Sequence, residues 1–168
     1  MMIFYYLLAL FIIAVDQLTK YAVVIYMDIG ESIELIPDFL YLTSHRNEGA
    51  AFGILQGQMW FFYIITVAVV AAIIYHLHKY GKTSMMIGLP LVLILGGALG
   101  NFIDRVLFGA VVDFVDTYFW GYSYPIFNVA DSALVVGVGL LIIKMMSDEW
   151  KEKRKSKHGS NAVDHNNG

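Results

Sequence analysis

Long apolar segments alternate with shorter polar segments along most of the 168-residue chain. A helix needs roughly 20 mostly apolar residues to cross a lipid bilayer. Four windows meet this requirement, at 3–25, 59–78, 85–103 and 126–146. The first window has neither a basic start nor a small-residue cleavage pattern, and polar residues interrupt it. It is therefore predicted to be a retained helix rather than a secretory signal peptide.

The two longer connections between these windows contain further structure. In the first, polar and apolar residues alternate over 31–36, a Pro37-Asp38 turn follows, and 39–44 is aromatic and apolar. This pattern predicts a small patch of two or three strands on the membrane surface. The second connection mixes Val, Phe and Trp with polar residues over 106–120, which favours an interfacial segment with its apolar side in the headgroup region.

The composition supports a small multispanning membrane protein. Hydrophobic residue types make up 58% of the chain and charged types 15%, whereas soluble domains carry about 25% charged residues. The net charge of −3 gives no reason to expect nucleic-acid binding. Without cysteine, the chain has no disulfide, thiolate metal site or cysteine nucleophile. We expect one domain over 1–147, followed by a basic tail at 148–168 that is disordered beyond a short helical extension.

The distribution of Lys and Arg predicts the orientation of the helices. Seven of these residues lie in the 79–84 connection and the tail, whereas the 26–58 and 104–125 connections contain only Arg46 and Arg105. Both termini should therefore be cytoplasmic, and the two longer connections should face outward.

Polar residues within the predicted helices are grouped rather than scattered. Asp16 and Lys20 are four residues apart and share a helix face, and Asn101, Asp104 and Arg105 share another. Ionisable groups in membrane helices are costly and usually functional. Two structural alternatives remain open: an Asp16–Lys20 ion pair that eases membrane insertion, and a salt bridge between Asp104 and Arg105 at a helix end.

The fourth helix begins with a further polar group. Asn128 and Asp131 are three residues apart near its start, and an apolar run follows. Asp113 lies in the preceding connection among Val and Phe residues. Given the predicted topology, these residues and the turn at 46–49 converge on the outer leaflet. Gly96 and Gly100 have the small-xxx-small spacing that allows another helix to approach closely.

The chemistry that fits this polar group is carboxylate chemistry. No cluster of metal-ligating histidines lies at this level, and no serine has an evident base. Asp113 and Asp131 remain as a candidate pair, in which one ionised carboxyl activates water and one protonated carboxyl binds a scissile carbonyl. Two aspartates 18 residues apart are common, so the spacing alone is weak evidence.

Five short blocks make the prediction specific. They are D-Q-L-T-K (16–20), R-N-E-G-A-A (46–51), G-N-F-I-D-R (100–105), V-V-D-F (111–114) and F-N-V-A-D-S (127–132). Together, and in this order, they resemble the bacterial lipoprotein signal peptidases, also called signal peptidase II. The resemblance covers roughly residues 8–146.

The resemblance implies an aspartyl endopeptidase without metal or cofactor. It would remove the signal peptide from diacylglyceryl-modified prolipoproteins, cutting on the N-terminal side of the lipidated cysteine. The implied catalytic residues are Asp113 and Asp131. The residues implied to bind substrate or support the site are Asp16, Lys20, Asn47, Gly49, Asn101, Asp104, Arg105, Asn128 and Ala130.

The resemblance also implies a fold and a location. The fold is an all-α membrane protein of four transmembrane helices, with an extracytoplasmic β-cradle at about 28–57 and an interfacial helix at about 106–122. The expected location is the bacterial cytoplasmic (inner) membrane, with the active site near the outer leaflet. The expected partners are prolipoprotein signal peptides and membrane lipids, with no nucleic acid, and the protein is expected to be a monomer.

Two other functions are compatible with parts of the pattern. A small proton-coupled transporter would also use intramembrane carboxylates, but it predicts polar residues near the midplane and an internal repeat. A non-enzymatic assembly factor would explain the long outer connections, but it would not explain Asp131 or Asn101.

Overall fold

A computed structural model describes residues 1–49 and 55–164, with side chains up to residue 154. The described part of the chain contains four helices: α1 (Met2–Tyr26), α2 (Met59–Tyr80), α3 (Met85–Phe108) and α4 (Val129–Asp164). It also contains four strands: β1 (Ser32–Ile36), β2 (Leu40–Asn47), β3 (Val111–Phe119) and β4 (Tyr122–Ser123).

All four helices are long and apolar enough to cross a membrane. The 22 residues of α2, the shortest of them, extend about 33 Å at 1.5 Å per residue, slightly more than the hydrocarbon thickness of a bilayer. The four predicted windows are therefore confirmed. Most helix ends differ from the prediction by a few residues, but α4 continues well beyond 146, to Asp164. The end of α3 lies at Phe108 rather than 103, and the helix stops at Gly109 with a positive φ of 69°.

The strands form one antiparallel sheet in the order β1-β2-β3-β4. β1 and β2 come from the first connection and pair as predicted, whereas β3 and β4 come from the second connection. In the β2–β3 pairing, His45 lies opposite Asp113 and Asn47 opposite Val111. The sheet lies where α1 and α3 end and where α2 and α4 begin, and we call this the sheet end of the bundle.

The prediction of an interfacial helix within about 106–122 is wrong for the described residues. The segment begins as the last turn of α3 and then becomes β3. Its central apolar residues face the protein interior, since Val112 and Phe114 are buried with Val23 of α1 and Met27, the residue that follows α1, whereas Phe119 and Trp120 are exposed. Pairing with β2 also satisfies the backbone of the segment.

Two predicted segments lie partly outside the described residues: 50–54 of the cradle and 165–168 of the tail. The described part of the tail differs from the expected disorder, because α4 continues as a helix to Asp164. Ion pairs four residues apart, Lys144–Asp148 and Glu149–Lys153, stabilise this extension.

The helices pack through an apolar core away from the sheet end. Tyr5 and Ala9 of α1 are buried there with Leu77 of α2 and Val92 of α3. Nearer the sheet end, the glycines of α3 allow close approach. A Cβ atom added at Gly100 would lie 2.6 Å from Asp16 Oδ2 on α1.

The predicted packing role of the small-xxx-small glycines agrees with their neighbours. Gly96 and Gly100 both face α1, at Ile12 and Asp16. Gly97 faces the other way, and a Cβ atom there would collide with the backbone of Ala130 on α4. The glycine-rich segment of α3 therefore allows α1 and α4 to lie close to it on both sides.

Candidate active site

Asp113 is held by the sheet. It lies in the middle of β3, and its side chain is 1% exposed. Asn47, near the end of β2, donates from Nδ2 to Asp113 Oδ2 at 2.9 Å. Asn128 donates from Nδ2 to Asp113 Oδ1 at 2.6 Å. Both carboxyl oxygens of this buried side chain therefore accept a hydrogen bond.

Asp131 is held by the start of α4. The backbone N–H of Asp131 donates to Asn128 Oδ1 at 2.9 Å, and the backbone N–H of Asn128 donates to Asp131 Oδ2 at 3.2 Å. This reciprocal pair is a capping box, which satisfies two backbone donors that a helix start otherwise leaves free. Asn101 donates from Nδ2 to Asp131 Oδ1 at 2.7 Å, so both oxygens of Asp131 also have donors.

A buried cation lies behind these two aspartates. Lys20 Nζ lies 2.8 Å from Asp16 Oδ2, 3.0 Å from Asp104 Oδ2 and 2.9 Å from Asn101 Oδ1. An ammonium group has three N–H donors, and three acceptors surround this one. Since Lys20 is 2% exposed, this pairing offsets the cost of burying its charge.

The carboxylates around Lys20 also fix the backbone of the site. Asp16 Oδ1 accepts the N–H of Ala130 on α4 at 2.9 Å, and Asp104 Oδ2 accepts the N–H of Val112 on β3 at 3.0 Å. The ion-pair cluster thus holds the segments that carry Asp131 and Asp113. Ala130 is fully buried against Gly97 and Gly100, which leaves no room for a larger side chain.

Arg105 connects the site to the loop after β2. It donates to the carbonyl oxygen of Gly49 at 3.2 Å, and the N–H of Gly49 donates to Asn47 Oδ1 at 2.9 Å. The guanidinium lies 4.5 Å from the ring centroid of Phe62 on α2. Arg105 therefore holds the loop that orients Asn47 toward Asp113.

A cavity of about 880 Å³ opens over the two aspartates. Its polar part contains Asp113, Asp131, Asn101, Arg105 and the segment 45–49. Its apolar part contains Leu134, Val135 and Val136 of α4, together with Ile126 and Phe127. The cavity therefore combines a carboxyl pair with an apolar wall that continues along a spanning helix.

The environment of Asp113 favours its protonated form. Burial, followed by the nearby negative charge of Asp131, raises the pKa of Asp113 from 3.8 to about 7. Hydrogen bonds from Asn47 and Asn128, and the charge of Lys20, act in the opposite direction. Two carboxyl groups in such a site share one proton near neutral pH, and the titration belongs to the pair.

The structure brings the predicted site residues into one connected network. Its members are Asp16, Lys20, Asn47, Gly49, Asn101, Asp104, Arg105, Asp113, Asn128, Ala130 and Asp131. The predicted Asp16–Lys20 pair is present, but it is part of a larger cluster. The alternative of a local salt bridge at the end of α3 is not the arrangement found, because Asp104 pairs with Lys20 and Arg105 binds the loop.

Sequence reasoning missed two contributors. Gln17 donates from Nε2 to Asp104 Oδ1 at 2.8 Å and to the carbonyl of Gly100 at 3.2 Å. The sequence does offer a signal for Gln17, since this polar residue lies beside Asp16 in an apolar helix. Tyr63 of α2 donates to the carbonyl of Arg105 at 2.9 Å. A tyrosine among the aromatic residues at a helix start gives no such signal.

No group of three or more metal-ligating His, Cys, Asp or Glu side chains occurs within 1–49 and 55–154, where side chains are described. The fold and the site instead define a membrane protein with a buried carboxyl pair, the class that includes membrane aspartyl peptidases. A model of the family described as signal peptidase (SPase) II matches residues 8–147. The chain belongs to the signal peptidase II family and is therefore a membrane peptidase of the aspartic type.

Individual relatives agree with this assignment. A lipoprotein signal peptidase of Halalkalibacterium halodurans is 61% identical over 90% of this chain and 97% of its own length. One from Bacillus velezensis is 57% identical over 90% and 99%. A bacterial membrane enzyme determined by the in meso method at 2.3 Å resolution is 50% identical, with a TM-score of 0.82 over 86% of this chain and 88% of the other. Another, at 1.9 Å, is 51% identical, with a TM-score of 0.79 over 86% and 93%.

Proposed function

We propose that Asp113 and Asp131 are the catalytic pair with which this signal peptidase cuts the signal peptide from diacylglyceryl-modified prolipoproteins. The cut falls on the N-terminal side of the lipidated cysteine. The observation that carries the proposal is that both aspartates line one cavity, with a hydrogen-bond donor on each of their four oxygens. A transporter has no support from the relatives described above, which are named as lipoprotein signal peptidases and as bacterial membrane enzymes.

The chemistry follows from a shared proton. The ionised carboxyl takes a proton from water, and the water oxygen bonds to the scissile carbonyl carbon. The protonated carboxyl gives its proton to the carbonyl oxygen, which yields a tetrahedral diol. As the C–N bond breaks, the leaving nitrogen takes a proton from a carboxyl. The products are a signal peptide with a new carboxylate and a lipoprotein with a free amino group on its lipidated cysteine.

The position of the site suits a membrane-bound substrate. The Lys and Arg bias supports a cytoplasmic 79–84 connection and C-terminal tail, with the sheet end facing outward, near the outer leaflet. A signal peptide is itself an apolar membrane segment, and its cleavage site lies at the depth of the sheet end, near the outer leaflet. The apolar wall formed by Leu134, Val135 and Val136 suits the acyl chains of the substrate.

The remaining network residues support the pair. Asn47, Asn101 and Asn128 direct amide donors at the two carboxyls, while Asp16, Lys20 and Asp104 hold the backbone beneath them. One chain supplies every side chain in this network, which supports function as a monomer among membrane lipids.

The test is cleavage of a diacylglyceryl-modified prolipoprotein by purified protein in detergent, followed as a gel shift. We expect Asp113→Asn and Asp131→Asn each to lower kcat at least 10³-fold, because neither variant can share a proton between two carboxyls. Circular dichroism and thermal unfolding would show that both variants remain folded.

Asp116→Asn is a matched control. Asp116 lies on the same strand as Asp113, is also buried, and accepts a hydrogen bond from Thr43 rather than from the network. It should leave kcat within about threefold of the wild type. Wild-type turnover by either the Asp113 or the Asp131 variant would overturn the assignment of the pair, and absence of cleavage by the wild type would overturn the function.

A further inference from the structure

The amide of Asn101 has only one orientation compatible with its neighbours. Lys20 can only donate hydrogen bonds, and it lies 2.9 Å from Asn101 Oδ1. Asn128 also donates to that oxygen, at 3.1 Å. The Nδ2 group of Asn101 must therefore face Asp131, to which it donates at 2.7 Å. The buried ammonium of Lys20 thus determines that Asp131 faces the Nδ2 end, rather than the Oδ1 end, of the Asn101 amide.

The amide of Asn128 is fixed in a similar way, but without a cation. Its Oδ1 accepts the backbone N–H of Asp131 in the capping box, so its Nδ2 faces Asp113. Asp113 receives its other hydrogen bond from the neutral amide of Asn47. Each aspartate therefore accepts hydrogen bonds from two N–H groups. The donors differ in what holds them: the amide of Asn101 contacts the Lys20 ammonium, whereas the amide of Asn128 is held by a neutral backbone N–H.

This difference makes the pair asymmetric. Asp131 lies in the first turn of α4, where the helix dipole stabilises negative charge. Its donor Asn101 is polarised by the ammonium of Lys20. Asp113 lies on a strand, is almost fully buried, and is bound only by neutral amides.

We propose that Asp131 carries the negative charge in the resting enzyme and takes the proton from water, that Asp113 holds the shared proton, and that Lys20 is the positioning residue that sets this order through Asn101. This inference rests on the function proposed above. The raised pKa of Asp113, about 7, agrees with it.

Other charges surround the pair and enter any pH profile. They are Asp16 and Lys20 of α1, Asp104 and Arg105 of α3, and His45, Arg46 and Glu48 along the cavity. The experiment therefore compares variants that differ in the charged cluster behind Asn101 and leave the other charges in place.

The experiment measures kcat against pH for the wild type, Lys20→Arg and the double variant Lys20→Met/Asp104→Asn. The double variant removes one positive and one negative charge, so the net charge of the cluster is unchanged. Asp16 loses its cation in this variant but keeps its hydrogen bonds from Gln17 and from the N–H of Ala130. Thermal unfolding reports whether it folds. Lys20→Arg keeps a cation behind Asn101 and should retain the wild-type profile.

We expect the acidic limb of the kcat–pH profile to move to higher pH in the double variant, because the ammonium that polarises Asn101 is lost. Loss of the Asp104 carboxylate acts in the opposite direction, so the net shift should be at most about one unit. The alkaline limb should move less, because Asn101 connects Lys20 to Asp131 and not to Asp113. A larger shift of the alkaline limb, or equal shifts of both, would overturn the order of protonation. A lower rate with both limbs unmoved would make Lys20 merely structural.

Gln17→Leu is the matched control. Gln17 contacts Asp104 and Asp16, as Lys20 does, but it contacts neither Asn101 nor the pair. It should lower stability without moving either limb, and a shift like that of the double variant would contradict the route through Asn101. Failure of the wild type to cleave at all would instead reject the proposed function.

Discussion

The two ends of the helix bundle are held together in different ways. Away from the sheet, α1, α2 and α3 meet through apolar side chains such as Ala9, Leu77 and Val92. At the sheet end, α1, α3, α4 and β3 meet through charged and amide groups that are equally buried. The lipid-facing surface of the helices is apolar at both ends, so the difference lies inside the bundle.

The comparison shows what each kind of contact contributes. Between helices in lipid, apolar packing acts through van der Waals contact rather than the hydrophobic effect, so its energy changes gradually as atoms are removed. A buried polar network depends on all its members, because removing one leaves others unpaired at high cost. The apolar end should therefore tolerate change with a loss of stability, whereas the sheet end should lose activity.

After the aspartate substitutions themselves, the largest effect should come from crowding the sheet end. In Gly100→Ala, the new Cβ would lie 2.6 Å from Asp16 Oδ2 and would displace the partner of Lys20. We expect kcat to fall about 10²-fold, the usual result of misplacing a catalytic group by about 1 Å. The cleavage assay measures this. Gly139→Ala is the control, since open space surrounds that position on α4, and equal losses in both variants would refute the argument.

The pH dependence of stability should contain a contribution from the sheet end. The pKa of Asp113 rises from 3.8 to about 7 on folding, so the folded state binds more protons between these values. The contribution of Asp113 to the free energy of unfolding should be fully present below about pH 4 and be lost as pH rises through 7, by up to about 4 kcal/mol. Denaturation in detergent at several pH values measures this slope. Asp113→Asn should flatten it, and Tyr5→Phe at the other end should not.

Truncation at the apolar end should reduce stability but not chemistry. Tyr5 is fully buried and donates to the carbonyl of Gly81 at 3.0 Å. We expect Tyr5→Ala to lower the free energy of unfolding by about 3 kcal/mol, with kcat per folded molecule unchanged. Tyr6→Ala, at the lipid-exposed neighbour, should have a much smaller effect. A large fall in kcat for folded Tyr5→Ala protein would show that the two ends are not independent.

The smallest effect should come from a polar contact outside the bundle. Asp148 pairs with Lys144 on the extension of α4, and half of its side chain is exposed. Asp148→Asn should change the free energy of unfolding by less than about 0.5 kcal/mol. Thermal unfolding in detergent checks this. A larger change would mean that polarity, rather than burial, explains the sensitivity of the sheet end.

The sequence predicts the four helices because each spanning segment must satisfy its own backbone, which requires a long apolar run. It also predicts which polar residues come together, because charged groups at membrane depth need partners. Strand β3 was missed, since its apolar residues fit an interfacial segment as well as a buried strand. Its partner β2 lies more than 60 residues away in the chain.

The sequence also could not predict which charged residues pair with one another within the site. Asp104 is adjacent to Arg105, yet it pairs with Lys20 on another helix. The choice depends on how closely α1 and α3 approach, which Gly96 and Gly100 decide in three dimensions. Residue type and spacing indicate that a charged group needs a partner, but they do not identify the partner.

The start of α4 separates the two aspartates along the chain. Asp113 belongs to a strand that follows α3, while Asp131 belongs to α4, the final helix. Synthesis proceeds from the N-terminus, so a chain still lacking α4 has only Asp113 of the pair, no capping box and no Ala130 N–H for Asp16. On the catalytic assignment proposed above, the peptidase is therefore inactive during its own synthesis and cannot cleave neighbouring membrane helices until α4 has docked.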